Sequence, residues 1–211
     1  KLADDDLVMY DRQTGSDWKQ SRGTAISGEL EGETLEVLPA SMLSYGRFVE
    51  AHPDGVVLQP PGGESEAASD DDTPARIRYE LSPYDEYFEA DGYGLGAHRG
   101  TGGRDDWAHD AFAPKDVVIG LEFDEDAIGV PRPVVDAAGG VVQVTVGDRS
   151  IAVFSSADGV HAFFDRGLTF EPTDTEGRFR ADGTTWDSAT GEASDGRQLQ
   201  RAPARRLFAF T

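Results

Sequence analysis

The chain has 211 residues, of which 40 are acidic and 19 basic, and its formal net charge at pH 7 is −21. Phosphate recognition depends on clustered lysine and arginine, so this charge argues against nucleic acid as a partner. The sequence has no cysteine, which excludes a disulfide, a thiolate metal site and a cysteine nucleophile within these residues. No apolar run approaches the roughly 18 residues of a membrane span, so no span is predicted in this chain.

The acidic residues are distributed along the whole sequence rather than gathered in one tail. Such a surface repels itself in dilute buffer. At molar salt the screening length falls to about 3 Å and most of that repulsion disappears. We therefore interpret the charge as adaptation to very salty water, with solvent cations as the partners of the acidic surface. An acidic face for a basic partner or for calcium is the alternative interpretation.

Short apolar runs in the first half predict strands separated by turns. Residues 7–10, a stretch that carries Trp18, and residues 56–58 each predict a short strand. Residues 41–51 have apolar positions near helical spacing and predict a helix. It should end at His52, because a proline disfavours helix at the residue before it. From about 59 to 114 the periodicity fades, and loops of this length are uncommon inside compact domains.

The second half alternates with a period of two. Residues 117–121 are typical of a buried strand, and residues 141–146 and 151–154 predict a hairpin. Prolines within residues 130–135 predict an edge strand or an extended link. Further strands are predicted around Trp186 and over residues 207–210. The predicted fold is therefore mainly β, with two related small barrel- or sandwich-like units, few short helices and a long irregular connector.

Two stretches of the sequence match when one is shifted by 168 positions. The matched pairs are Gly15 with Gly183, Trp18 with Trp186, Gly23 with Gly191, Ala25 with Ala193, and Gly28 with Gly196. After a four-residue deletion Leu35, Pro39 and Leu43 match Leu199, Pro203 and Leu207. We interpret this as one structural unit used twice. The two tryptophans are then predicted to be equivalent core residues, and Gly15 and Gly183 are predicted to lie in turns at positive φ.

No residue set converges on a catalytic or metal-binding motif. Of the four histidines only His98 and His109 share a segment, and their eleven-residue separation is not a recognised ligand spacing. Carboxylate pairs are expected by chance in so acidic a chain, and no motif anchors Ser-His-Asp chemistry. The remaining hypothesis is a weak ligand site within residues 76–112. Its candidates are Tyr84, Tyr87, His98, Trp107 and His109. No catalytic residue, cofactor or metal ligand is predicted.

Three phrases together resemble a known family. They are the run from Asp6 to Gln20 (DLVMYDRQTGSDWKQ), His52-Pro53-Asp54-Gly55, and the run from Pro114 to Gly120 (PKDVVIG). The chain resembles the family called domain of unknown function 3179, in the form seen in salt-loving archaea. A further family phrase, V-N-D-x-x-G-G, is similar to residues 135–140 with its Asn lost.

That resemblance implies a tandem of two related halves and an extracytoplasmic or cell-surface location. It also implies a segment upstream of Lys1 with a C-P-L-C motif for thiol or metal chemistry. The expected organisation is residues 1–58 as the late portion of the first repeat unit, residues 59–114 as the connector, and residues 115–211 as the second unit. We expect a non-enzymatic β-rich binding or scaffold module. The alternative is a metal- or thiol-dependent enzyme whose active residues lie upstream of this chain.

The charge generates the first testable prediction. Below roughly molar salt the repulsion among acidic side chains is no longer screened, so the folded state should loosen or unfold. The melting temperature, followed by circular dichroism in a sodium chloride series, should rise with salt concentration. A melting temperature that is indifferent to salt would contradict the interpretation.

Overall fold

The computed structural model of the chain describes residues 2–3, 6–59, 85–90, 92–94, 107 and 109–209. The backbone divides into two compact units. One is formed by Lys1–Ser44 together with Asp105–Thr211, and the other by Tyr45–Arg104. The boundaries expected from the sequence, at residues 58 and 114, stay a prediction.

The described residues form thirteen strands in four small antiparallel sheets, and none of these sheets closes into a barrel. The prediction of a mainly β fold is confirmed, and the small sheets fit the sandwich-like form. The first sheet has the order β1 (Leu2–Ala3), β2 (Asp6–Tyr10), β3 (Asp17–Lys19), β4 (Thr24–Ser27). The second comprises β5 (Val117–Phe123), β6 (Asp126–Pro131) and β13 (Ala204–Phe208), in the order β13-β5-β6. The third is β7 (Val141–Val146), β8 (Arg149–Ser156), β9 (Gly159–Phe164), and the fourth is β10 (Glu171–Pro172), β11 (Arg178–Ala181), β12 (Thr184–Asp187).

Helices are short in the described part of the chain. They are α1 (Tyr45–Ala51), α2 (Asp85–Glu89) and α3 (Arg132–Ala137). None of them has the length and apolar character that crossing a bilayer requires.

Strand β8 has buried side chains on both of its faces. Ile151 and Val153 point into one hydrophobic cluster, together with residues of β5, β6 and α3. Ala152 and Phe154, which alternate with them, belong to a second cluster with residues of β11 and β12. All four side chains are at most 1 % exposed. The sheet β7-β8-β9 is therefore the middle layer, because successive side chains of a strand point to opposite faces.

The two tryptophan stretches have the same local hydrogen bonds. We call residues 15–35 the Trp18 stretch and residues 183–199 the Trp186 stretch. Trp18 pairs with Ala25, and Trp186 pairs with Ala193. The amide of Gly23 donates to Lys19 O, and the amide of Gly191 donates to Asp187 O. The amide of Leu35 donates to Gly23 O, and the amide of Leu199 donates to Gly191 O. Trp18 is 8 % exposed and Trp186 2 %. Both tryptophans are thus core residues, as the sequence predicts.

The two stretches differ in the partner of the indole. Trp18 Nε1 donates to Asp11 Oδ2 at 2.8 Å, whereas Trp186 Nε1 donates to the carbonyl oxygen of Ala181 at 3.1 Å. The hairpin before Trp18 is longer, and it supplies Asp11. Hydrogen bonds from the hydroxyl and amide of Thr14, and then from the indole, lower the pKa of Asp11 to about 2.

The strands predicted over residues 7–10, 117–121, 141–146 and 151–154 are present. The strand predicted over residues 56–58 is wrong, because these residues are exposed and pair with no strand among the described residues. Helix α1 begins only at Tyr45. The prolines of residues 130–135 end the edge strand β6 and begin α3, since proline is tolerated in the first turn of a helix.

Gly191 and Gly183 provide a matched pair of substitutions. Both have positive φ, 73° and 75°, so an alanine at either position costs about 1–2 kcal/mol of backbone strain. A Cβ at Gly191 would lie 2.5 Å from Cε1 of the buried Phe163, whereas one at Gly183 would meet no atom within 4 Å. Gly191→Ala should therefore lower the free energy of unfolding by about 1–3 kcal/mol more than Gly183→Ala. Urea unfolding at constant high salt measures both, and equal losses would contradict this packing.

Candidate functional site

The structure describes three of the five ligand-site candidates. Tyr84 and His98 lie outside the described residues. Tyr87 lies in α2, where its hydroxyl accepts a hydrogen bond from the amide of Gly94 at 3.2 Å. Tyr87 belongs to the unit Tyr45–Arg104, and Trp107 and His109 belong to the other. The hypothesis of one site built from all five residues stays untested.

Trp107 and His109 are close together. Their ring centroids are 5.3 Å apart, and the His109 ring stacks on Phe112 with centroids 5.0 Å apart and planes inclined by 19°. The indole Nε1 of Trp107 donates to the carbonyl oxygen of Phe112 at 2.7 Å. The hydrogen bond satisfies the indole locally, which is the behaviour of a structural aromatic cluster. Within the described residues no group of three or more His, Asp and Glu side chains is placed to hold a metal ion.

A polar cleft of about 370 Å³ lies against the middle sheet. Its walls come from α3 and the turn after it, from the end of β8, and from β10, β11 and the loop between them. The residues that line it include Arg132, Asp136, Gly140, Ser155, Ser156, Thr173, Glu176 and Arg178. Small-molecule sites are usually preformed concave surfaces in which a few polar groups converge within a mostly apolar lining, and this cleft is the more polar kind.

Two guanidinium groups face this cleft, each about 40 % exposed. Arg132 donates from Nη2 to the carbonyl oxygen of Ser156 at 3.2 Å, and its Nε lies 3.5 Å from Asp136 Oδ2. The other oxygen of Asp136 accepts from the hydroxyl of Ser155 at 2.5 Å. Arg178 Nη2 lies 3.3 Å from Oδ2 of the buried Asp187. Each arginine is held by a carboxylate and still presents donors to the cleft.

Two glycines shape the wall of the cleft next to α3. Gly139 and Gly140 have φ values of 85° and 90°, and the amide of Gly140 donates to Val135 O at 2.9 Å to end the helix. The carbonyl of Gly140 then accepts from the amide of Ser155 at 2.8 Å. A Cβ at Gly140 would lie 2.9 Å from Ser155 O. The phrase of residues 135–140 is therefore the sequence signal that marks this cleft.

A second polar group, which we call the Ser41 cluster, consists of Ser41, His161 and Arg201. His161 is 3 % exposed. Its Nδ1 lies 3.2 Å from Ser41 Oγ and its Nε2 lies 3.1 Å from the carbonyl oxygen of Asp158. A carbonyl can only accept, so Nε2 carries the proton and Nδ1 accepts from the serine hydroxyl. Arg201 Nη1 donates to the same Ser41 Oγ, and Nη2 donates to Ala189 O at 2.8 Å.

Charged groups around His161 act in opposite directions. Burial has the largest effect and lowers the pKa of His161, and the positive charge of Arg201 lowers this pKa further. The Asp158 backbone carbonyl, the Asp158 carboxylate and the Asp187 carboxylate raise it, but the net shift is downward. Asp187 Oδ1 is occupied by the amides of Ala189 and Thr190, at 3.0 and 2.8 Å. The imidazole is therefore neutral at pH 7.

Sequence reasoning missed the Ser41 cluster. His161 is recognisable only as one of four histidines, and neither Ser41 nor Arg201 stands in a motif. Strand β9 offers no alternating signal, because His161, Ala162 and Phe163 are buried in succession.

The fold and the two polar sites define a mainly β protein with a small cleft beside its middle sheet. The family model for proteins of unknown function named DUF3179 matches residues 1–211, and the chain belongs to this family. No curated protein and no solved structure matches the chain. The resemblance read from the sequence is confirmed at the level of the family.

The buried imidazole generates a prediction for stability against pH. The folded-state pKa of His161 lies below the ordinary 6.5, so the unfolded chain binds more protons as the pH falls. Its contribution is fully present above pH 6.5 and is lost as the pH falls below that value, by at most about 1.4 kcal/mol per pH unit for one proton. His161→Gln should flatten the decline of the unfolding free energy between pH 6.5 and 5.

Urea unfolding at fixed salt measures this slope. His109→Gln, which changes an exposed imidazole of the same compact unit, is the control and should keep the wild-type slope. If the unfolding free energies of wild type and His161→Gln fall with the same slope, the imidazole has the same pKa in the folded and unfolded states, and the prediction is wrong.

Proposed function

We propose that the chain is a β-rich binding module, and that the cleft beside α3 holds a small polar molecule with a carboxylate group and hydrogen-bond donors. The observation that carries the proposal is the pair of half-exposed guanidinium groups, Arg132 and Arg178, on one cleft of about 370 Å³. A guanidinium matches the planar fork of a carboxylate with two parallel donors.

The rest of the lining suits the other end of such a ligand. Asp136 and Glu176 supply carboxylate oxygens, and Thr173 and Ser155 supply hydroxyls. Because both acceptors and donors line the cleft, a molecule with one anionic and one donating end fits better than a simple anion. Asp136 lies on α3 and Ser155 on β8, whereas Thr173 and Glu176 lie on the loop between β10 and β11.

The acidic sequence supports a second part of the proposal, that the module works in concentrated salt with solvent cations around its surface. An extracytoplasmic location is proposed from the family resemblance alone. We also propose that the Trp18 and Trp186 stretches are copies of one duplicated unit. Their matching backbone hydrogen bonds and buried tryptophans support this. The alternative, an enzyme whose thiol or metal residues lie upstream, stays a prediction from the resemblance.

The cleft is tested with glutamate as the probe, because it carries both carboxylate and ammonium groups. Amide chemical shifts of residues around Gly140 and Ser155 should change saturably as glutamate replaces chloride at constant ionic strength. Arg132→Gln should weaken this binding about tenfold or more, since the loss of a charge-assisted hydrogen bond is worth about 1.5–3 kcal/mol. The matched control is Arg149→Gln, which removes an exposed arginine paired with Asp148 and absent from the cleft lining.

The control should bind glutamate as the wild type does. An equal loss of glutamate affinity in both variants would show that the loss comes from the changed net charge and not from a contact in the cleft. If the changes in amide chemical shift are spread over the surface, or never saturate, the cleft is not a ligand site.

A further inference from the structure

We propose that Ser41 is a nucleophilic serine that accepts an acyl group from an ester, with His161 as its base and Arg201 as the group that stabilises negative charge. This goes beyond the proposed function, because none of these three residues lines the cleft. The proposal rests on the geometry of the Ser41 cluster.

The hydrogen bonds around Ser41 Oγ have only one consistent assignment. Arg201 is always a donor, so Oγ accepts from its Nη1. His161 Nε2 donates to Asp158 O, which leaves Nδ1 as an acceptor at 3.2 Å from Oγ. The serine hydroxyl therefore points its proton at Nδ1. A nucleophile whose proton faces a base, with that base oriented by a third group, is the arrangement that activates serine.

The base is held rigidly in this orientation. His161 lies in the interior of β9, and the loop carbonyl that fixes it belongs to Asp158. The amide of Asp158 donates to Ser156 Oγ at 3.2 Å, and Ser188 Oγ donates to the same oxygen at 3.1 Å. The imidazole tautomer is thus set by a chain of hydrogen bonds that runs to β12 and its following turn.

Arg201 is placed to stabilise negative charge on Ser41 Oγ. Its guanidinium lies over the ring of Phe163, 4.9 Å from the centroid, and is tied to Ala189 O. The apolar ring beneath it limits hydration, which strengthens electrostatic stabilisation of charge that develops at Ser41. A cation on the hydroxyl oxygen also favours the alkoxide over the alcohol.

Ser41 lies in a partly exposed stretch of the chain. The serine is half-buried in a stretch without regular structure, and Met42 beside it is 68 % exposed. This stretch approaches the β8–β9 turn closely, because a Cβ at Gly159 would lie 3.4 Å from Met42 O and 3.3 Å from His161 Nε2. Glycine at position 159, with φ of 115°, leaves that space free.

The step balances without a cofactor. A bond forms between Ser41 Oγ and the carbonyl carbon of the ester while the hydroxyl proton passes to His161 Nδ1. The ester C–O bond then breaks, and the leaving alcohol takes the proton from Nδ1. The products are an O-acylated Ser41 and the free alcohol, and no group is oxidised or reduced. A purely structural role, in which the cluster only fastens the stretch around Ser41, predicts none of this reactivity.

The first experiment treats the folded chain at high salt with a fluorophosphonate, which forms a Ser–O–P bond and releases fluoride. Mass spectrometry of peptides should locate the label on Ser41, and Ser41→Ala should abolish it. His161→Gln should slow labelling about 100-fold, the lower range for loss of a general base. Ser194→Ala, which removes an exposed hydroxyl bonded to Thr185 O, should label as the wild type does. Label on several exposed serines, or none on Ser41, would overturn the proposal.

A second experiment does not depend on His161→Gln being folded. The chain has no cysteine, so Ser41→Cys and Ser194→Cys each introduce a single thiol. The rate of iodoacetamide alkylation against pH should have a lower midpoint for Ser41→Cys, because the positive charge of Arg201 favours the thiolate. Midpoints that coincide would show an ordinary environment at position 41. Glutamate binding at the cleft is measured separately, so the two proposals can fail independently.

Discussion

The burial of β8 on both faces is the constraint on which the rest of this structure depends. An apolar run of alternating small and large side chains leaves no surface for water, so a layer must cover each side of the strand. The sheet β13-β5-β6 with α3 covers Ile151 and Val153, and the sheet β10-β11-β12 covers Ala152 and Phe154. These two layers fix the positions of β8 and β9, and each of these strands supplies residues to one of the polar sites.

The two polar sites follow from this layering in different ways. The cleft forms between α3, β11 and the end of β8, and its polar groups include the two serines that follow the apolar run of that strand. The Ser41 cluster forms where β9 carries a histidine inward beside Phe163. Asp187 connects the two sites. It is paired with Arg178 of the cleft, and its negative charge acts to raise the pKa of His161. A buried carboxylate whose hydrogen bonds are satisfied makes its surroundings more rigid.

The Trp18 and Trp186 stretches show which features a shared local fold preserves. The bridges to alanine and the turn glycines at positive φ recur, since they depend on the backbone. The indole partners differ, because the longer hairpin before Trp18 introduces Asp11, whereas the shorter one leaves a carbonyl oxygen. Backbone geometry is thus common to both stretches, and the side-chain chemistry is specific to each.

The sequence by itself determined the β character, the principal strands and hairpin, and the burial of both tryptophans, because period-two patterns and turn glycines act over a few neighbouring residues. It failed at residues 56–58, where an apolar run finds no partner strand among the described residues, and it gave no indication of the Ser41 cluster. Only the tertiary structure brings Ser41 to His161 and Arg201, across 120 and 160 positions of the chain. Contacts at such separations leave no local pattern, since they arise from how the layers around β8 are stacked.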